Sequence, residues 1–293
     1  MSALAVMHRR AAGFGLIELM ISMVLGLLVM GAAIAVFQSN QRTFSANEGQ
    51  NRVQESARVA YEMMAMDIRA AGGTACSKLA RPDEEHVPTS DELGLMITPV
   101  TGSASTFTVL SGEDSSYPVT ASTTNTVTVK PQAISGWTLS DAFKEGDKLV
   151  LCNASLIYVV TVTSGGVNNA TNTLTFTPAT PVAIYSSVAP PATVSVARFR
   201  SANWYLNDGS LFVNRNGVVN EVVSGITALN LSYLQRGDSS YTATPTSWPD
   251  VMAVRVNMTL RGQETTGGDV QVDGSNYITR NTSNVVTVRA RVP

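Results

Sequence analysis

Glu18 stands at the entrance to an apolar run, LMISMVLGLLVMGAAIAVFQSNQ from Leu19 to Gln41, that holds no charged residue. A carboxylate costs roughly 2.5–3.5 kcal/mol at the centre of a bilayer and less near its surface. Left unpaired in low dielectric it is a penalty, so it needs a cation. Two cysteines, Cys76 and Cys152, are the other residues whose chemistry could shape the chain. The catalytic vocabulary beyond these is thin. With His8 and His86 as the two histidines, no Ser/His/Asp, Cys/His or HExxH arrangement can be drawn. Gly267-Gly268 lacks the Lys and Ser/Thr of a phosphate-binding loop. The acidic residues Glu113 and Asp114, and Asp269 and Asp273, could hold calcium or be solvated turns; their spacing is not that of an EF-hand. The sequence thus offers no catalytic residues, no cofactor site and no metal site of known spacing, and an enzyme is not expected.

The elements that would position Glu18 begin with the apolar run itself. About 20 such residues span the hydrocarbon core of a bilayer as a helix. His8, Arg9 and Arg10 precede it, which favours a cytoplasmic N-terminus and a translocated remainder. Three readings compete for the segment. Ala33-Ile34-Ala35 has the small-x-small pattern of a secretory cleavage site, but the run exceeds the usual apolar stretch of about 7–15 residues. A plain signal anchor would not ordinarily carry Glu18. The third reading rests on Gly13-Phe14-Gly15-Leu16-Ile17-Glu18.

That stretch resembles the cleavage motif of type IV pilins and pseudopilins. The resemblance implies a cut between Gly13 and Phe14 by a prepilin peptidase, N-methylation of Phe14, and a carboxylate at the fifth mature residue. On a helix Glu18 lies one turn beyond Phe14 on the same face. In that family the Glu is held to meet the amine of a neighbouring subunit. Gly15 departs from the pattern, where Thr is common.

After the run the pattern turns amphipathic. Val53, Ala57, Ala60, Met64, Ile68 and Ala71 recur at three- and four-residue steps, one helical face. Glu55, Arg58, Glu62 and Arg69 fall mostly off it, and Arg58 and Glu62 are spaced to pair. Gly72-Gly73 is a stop signal. The expectation is one helix from Phe14 to about Ala71, with Met63, Met64 and Met66 serving ordinary packing. Two cysteines in an oxidising compartment favour one Cys76–Cys152 disulfide, the alternative being two unpaired buried thiols. The bridge would close a loop of about 76 residues and contribute about 4 kcal/mol in the chain-entropy account.

The 293 residues suffice for a sizeable core. At 14% charged and 44% hydrophobic residues the chain is not a highly charged disordered one. A net charge of -2 and scarce lysine give no basic stripe, so nucleic acid is not expected as a partner. Beyond Cys76 helical patterns vanish and short β-branched runs alternate. They are Thr106–Leu110, Thr126–Lys130, Lys148–Leu151, Leu156–Val162, Thr173–Thr177, Val194–Phe199, Trp204–Leu206, Leu211–Asn214, Val218–Val223, Leu229–Leu234, Met252–Leu260 and Val285–Val292. Asn207-Asp208-Gly209 and Asn216-Gly217 read as hairpin turns, and His86, beside Pro88, as an exposed loop residue. The fold class expected is α+β: a long N-terminal helix packed on an antiparallel β-sheet domain. Its divisions are a leader over 1–13, a transmembrane or filament-core helix over 14–41, the amphipathic continuation over 42–72 and a periplasmic β-rich domain over 73–293.

NRVQESARVAYEMMAMDIRAAGGTAC resembles the helix end of PilW-type minor pilins. SGITALNLSYL and VMAVRVNMTLRG resemble the late strands of PilW and of GspJ, a minor pseudopilin of type II secretion. The resemblance implies a structural minor pilin that helps prime pilus assembly at the tip. The implied partners are other minor pilins, the major pilin, the prepilin peptidase, the inner-membrane assembly platform and a tip adhesin. A GspJ-like role in secretion stays open, as does a secreted or membrane-anchored β-rich adhesin or binding protein, cleaved after Ala35 or not at all.

Overall fold

The computed structural model describes residues 15–77, 79–84, 86–180, 184, 194–265 and 277–291. The first element is α1, Leu16–Ala70, a single helix of 55 residues. No Pro interrupts it, and Gly72 ends it at φ +70°, a left-handed backbone that favours glycine. Ala71 and Gly72 already lie in a turn, so the helix ends at Ala70, one residue before the expected Ala71. A side chain at Gly73 would also strike the Ala70 carbonyl at 2.8 Å. The chain divides into two units, Met1–Asn51 with Gln263–Ile278, and Arg52–Gly262 with Thr279–Pro293.

The second unit is built of antiparallel strands, α+β together with the last five turns of α1. In order come α2 (Ser90–Ile97), β1 (Val100–Gly102), β2 (Thr106–Ser122), β3 (Thr126–Val129), α3 (Leu139–Ala142), β4 (Lys148–Cys152), β5 (Ile157–Asn168) and β6 (Thr173–Thr177). Then follow β7 (Ser195–Asn207), β8 (Ser210–Arg215), β9 (Val218–Ser224), β10 (Ile226–Gln235), β11 (Val251–Thr265) and β12 (Tyr277–Thr287). One sheet runs β1-β2-β3-β6-β5-β4-β7-β8-β9, with β2 also paired to β7; the other runs β10-β11-β12. The β2–β7 pairing closes β2-β3-β6-β5-β4-β7 into a six-stranded ring. A closed ring leaves no strand edge open among its members.

Two cores result. In the first, Val53, Ala57, Ala60, Met64 and Ile68 of α1, with Ala71 of the turn that follows, meet Phe107, Trp204 and Val213 from one sheet and Leu231, Val254 and Met258 from the other. The second fills the ring with Val127, Leu149, Leu151, Tyr158, Val160, Leu174 and Phe176, together with Leu139 of α3 and Phe143. Strands β4 and β5 are buried on both faces. Leu149 and Leu151 point into the ring, while Val150 and Cys152 join Ile157, Val159 and Leu95 of α2 in a third cluster. That is why KLVLC and IYVV read as unbroken apolar runs.

Most expected strands are present, with Thr173–Thr177 at its expected ends. Three differences have physical reasons. Val194–Phe199 and Trp204–Leu206 are one strand, β7, because Arg200 lies on its buried face and broke the apolar alternation. Strand β2 continues past Leu110 through a register shift between Gly112 and Ser116. The last run stops at Thr287, and Arg289–Arg291 form a 3₁₀ turn. Helix α2 was not expected. It carries a full capping box, the Thr89 hydroxyl on the Glu92 amide and the Glu92 carboxylate on the Thr89 amide. The two NG/DG turns are as expected: Asp208, Gly209, Asn216 and Gly217 all have positive φ.

Candidate processing and assembly segment

Glu18 lies in the first turn of α1 and is exposed. An acidic side chain there also complements the helix dipole. From Leu16 to Phe37 the large apolar residues are all more than half exposed, Leu16 at 80% and Phe37 at 61%. Among the described residues, α1 is the one helix long and apolar enough to cross a membrane. A continuous exposed apolar surface of this length is a surface meant to be covered, by lipid or by other helices. Gly13 and Phe14 lie outside the described residues. Asp269 and Asp273 do so as well.

Residues 8–34 match the sequence profile of the prokaryotic N-terminal methylation motif. The segment carries a prepilin-type methylation motif. The match spans Gly13, Phe14 and Glu18 and ends inside the apolar run. No curated protein matches the chain. Among solved structures, a type IV-like pilin from Thermus thermophilus is similar at 14% identity and a TM-score of 0.24, over 51% of this chain and 87% of that one.

Within the second unit, the end of α1 from Arg52 to Ala70 is held to the sheets by a carboxylate that sequence reading passed over. Asp67 is fully buried. Its Oδ2 accepts from the Trp204 indole Nε1 at 2.8 Å and from Arg215 Nη2 at 3.1 Å, and Oδ1 accepts from Arg200 Nη2. The Arg215 guanidinium also lies 5.7 Å from the Trp204 ring centre. Burial lowers the pKa of Arg200, helped by the neighbouring charge of Arg215, and burial alone lowers that of Arg215. Two cations around one carboxylate satisfy it, but removing the carboxylate would leave both cations facing each other. The signal was in the sequence. Asp67 falls three residues after Met64, on the apolar stripe, and Arg200, Ala202 and Trp204 share one face of a strand. Arg58 and Glu62 pair at 2.9 Å, as their spacing suggested, and remain exposed.

Cys76 and Cys152 are joined in a disulfide with Cα atoms 5.8 Å apart. It ties the segment after α1 to the end of β4. His86 departs from the exposed position expected of it. Its Nε2 lies 2.9 Å from Glu92 Oε2, with the side chain only 12% exposed. Glu92 is itself 1% exposed, and its Oε1 accepts from the Val159 amide at 2.7 Å. One carboxylate therefore caps α2, binds His86 and docks α2 onto β5. Glu113 pairs with Arg198 at 2.9 Å. Among the described residues no three His, Cys, Asp or Glu side chains group as a metal site would need.

Proposed function

We propose that the chain is a minor pilin of the type IV pilus, of the PilW kind, with a structural role in priming assembly at the tip. The observation that carries the reading is Glu18: a lone carboxylate in the first turn of a 55-residue helix, inside the segment that matches the methylation motif. Cleavage between Gly13 and Phe14 would create an α-amine one turn before that carboxylate. In a bundle of such helices the amine of one subunit and the Glu18 of its neighbour neutralise each other where neither could be left alone. Until extraction, the exposed apolar half of α1 holds the protein in the inner membrane with its β-rich domain in the periplasm. Within the filament the same surface packs against other minor pilins and the major pilin. The peptidase, the inner-membrane platform and a tip adhesin complete its partners.

A Glu18→Ala variant should reach the membrane but lose most co-purification with partner pilins and reduce piliation. Unchanged co-purification and piliation would count against the reading. A deletion that spares twitching and abolishes protein export would move the role to a GspJ-like pseudopilin.

A further inference from the structure

A cleft of about 360 Å³ opens on the face of β2, β7 and β8 turned away from α1, beside the first turn of α2 and the start of β4. Its floor is Leu110 and Phe199, both packed into the cluster beneath α2. Its polar side chains are held in place by the protein itself. Lys148 Nζ lies 2.5 Å from Asp91 Oδ2. Asp147 Oδ2 accepts from the Lys144 amide at 2.8 Å. Asn216 Oδ1 accepts from the Ser201 amide and its Nδ2 donates to the Phe199 carbonyl, both at 2.8 Å. The same sheet face continues beyond the cleft in two rows. Thr108 stands opposite Asn203, which stands opposite Asn214; Thr106 stands opposite Tyr205, which stands opposite Phe212. These six side chains are all partly exposed. In the first row Asn203 Nδ2 donates to Thr108 Oγ1 at 2.8 Å and Asn214 Oδ1 accepts from the Gly217 amide at 2.8 Å. Asn203 Oδ1 and Asn214 Nδ2 take no partner among the described residues, which leaves an acceptor beside a donor. In the second row the Tyr205 and Phe212 rings stack with centres 5.8 Å apart and planes 16° from parallel. At a rise of about 3.4 Å per residue, Tyr205 lies about 14 Å along β7 from Ser201.

A pyranose is the complement of such a surface. Each of its hydroxyls can donate and accept, so two neighbouring hydroxyls set a donor beside an acceptor. Lys148 with Asp91 offers the same pairing in reverse, and hydrogen bonds to charged groups are the stronger kind. Asn203 with Asn214 repeats the pairing in neutral form. The C–H face of a pyranose is apolar and packs on aromatic rings, which Tyr205 and Phe212 supply. The charges of the cleft, Lys148 against Asp91 and Asp147, leave an excess of one carboxylate that repels an anion. The volume is at the small end of ligand pockets, room for one sugar ring, and the two rows beyond extend the site. We propose that the cleft and the adjoining face of β2, β7 and β8 bind a neutral oligosaccharide of two or three sugars. Lys148 and Asp91 take the hydroxyls of the sugar in the cleft, Asn203 and Asn214 those of the next, and Tyr205 with Phe212 carries the far end.

The test uses the full chain in a detergent without a sugar headgroup, followed by calorimetry and thermal melting. The probes are cellotriose, the trimer of N-acetylglucosamine, the two corresponding monosaccharides and the trimer of galacturonic acid. At least one neutral trimer should bind, at least tenfold more tightly than its monosaccharide and than the charged trimer. Lys148→Gln and Tyr205→Leu, changes at opposite ends of the site, should each weaken that trimer fivefold or more. The melting temperature of each free variant checks that it is folded, and Phe212→Leu replaces Tyr205→Leu if the latter unfolds. No binding of either neutral trimer at millimolar concentration, equal binding of the charged trimer or of the monosaccharide, or unchanged affinity in either folded variant would overturn the proposal.

Discussion

The two large cores of the β-rich unit solve the same problem by different means. The ring of β2-β3-β6-β5-β4-β7 encloses side chains from its own strands and from α3, and its backbone groups pair within the ring. The other core takes in a helix from far away in sequence and carries a buried ionic cluster at its centre. The difference follows from what each surface can specify. Ring closure and strand register fix the first without help. The helix face offers Ala57, Ala60 and Ala65, a smooth strip over which neighbouring registers would pack almost equally well. Asp67 removes that freedom, because only one placement brings its two oxygens to Trp204, Arg200 and Arg215. Polar groups retained for uniqueness rather than strength are a known device.

This contrast can be broken first at Asp67. An Asp67→Ala change leaves two partly buried cations without their carboxylate, and the expected loss is about 3 kcal/mol. Urea unfolding followed by tryptophan fluorescence measures it. A loss under about 1 kcal/mol would mean that apolar packing alone sets the helix register. A gentler version restores charge balance. Asp67→Leu combined with Arg200→Met and Arg215→Leu should recover much of the stability while broadening the amide spectrum, as a helix freed to shift would.

The disulfide is the next largest effect, since it staples the two regions together. Cys76→Ser with Cys152→Ser should cost about 2–4 kcal/mol. If the regions depend on each other, unfolding of the variant stays a single transition. If the ring stands alone, a second transition appears at higher urea. A single transition with unchanged midpoint would show that the staple contributes nothing.

The smallest effect lies inside the ring. Tyr158 is 1% exposed, and its hydroxyl has no hydrogen-bond partner among the described residues. A buried hydroxyl without a partner is unfavourable by about 1–3 kcal/mol. Tyr158→Phe should therefore leave the ring unharmed and raise stability, by up to about 1 kcal/mol. Burial, with Asp83 and Glu92 nearby, pushes the Tyr158 pKa up from 10.0 to about 12. The folded state thus holds this proton more tightly than the unfolded state. Its contribution is intact below pH 10 and declines as pH rises from about 10 towards 12. The Tyr158→Phe variant should lose less stability over that range than the parent.

These regions were also unequally legible in the sequence. The helix could be read because its signals are local: a period near 3.6, then Gly72-Gly73. Asp67 was missed because its three donors lie more than 130 positions away, on strands whose facing was not yet known. The individual ring strands were visible as β-branched runs, yet closure was not. It depends on β2 meeting β7, from Thr106 opposite Tyr205 to Pro118 opposite Ser195, and no local pattern encodes so distant a pairing. Helix α2 did have a local signal, Thr89-Ser90-Asp91-Glu92 before Leu93, Leu95 and Met96. A short helix among strands is easily overlooked when composition is read in long windows. Glu18 had the most specific pattern of all, because an isolated carboxylate beside a long apolar run has few explanations.

The most direct measurement is the N-terminus of the mature protein, taken from membrane or sheared-pilus fractions by mass spectrometry. The account predicts a chain beginning at N-methylated Phe14, with Glu18 retained one turn later. A chain beginning at Val36, or an unprocessed Met1, would remove the amine that Glu18 is proposed to meet and contradict the filament role.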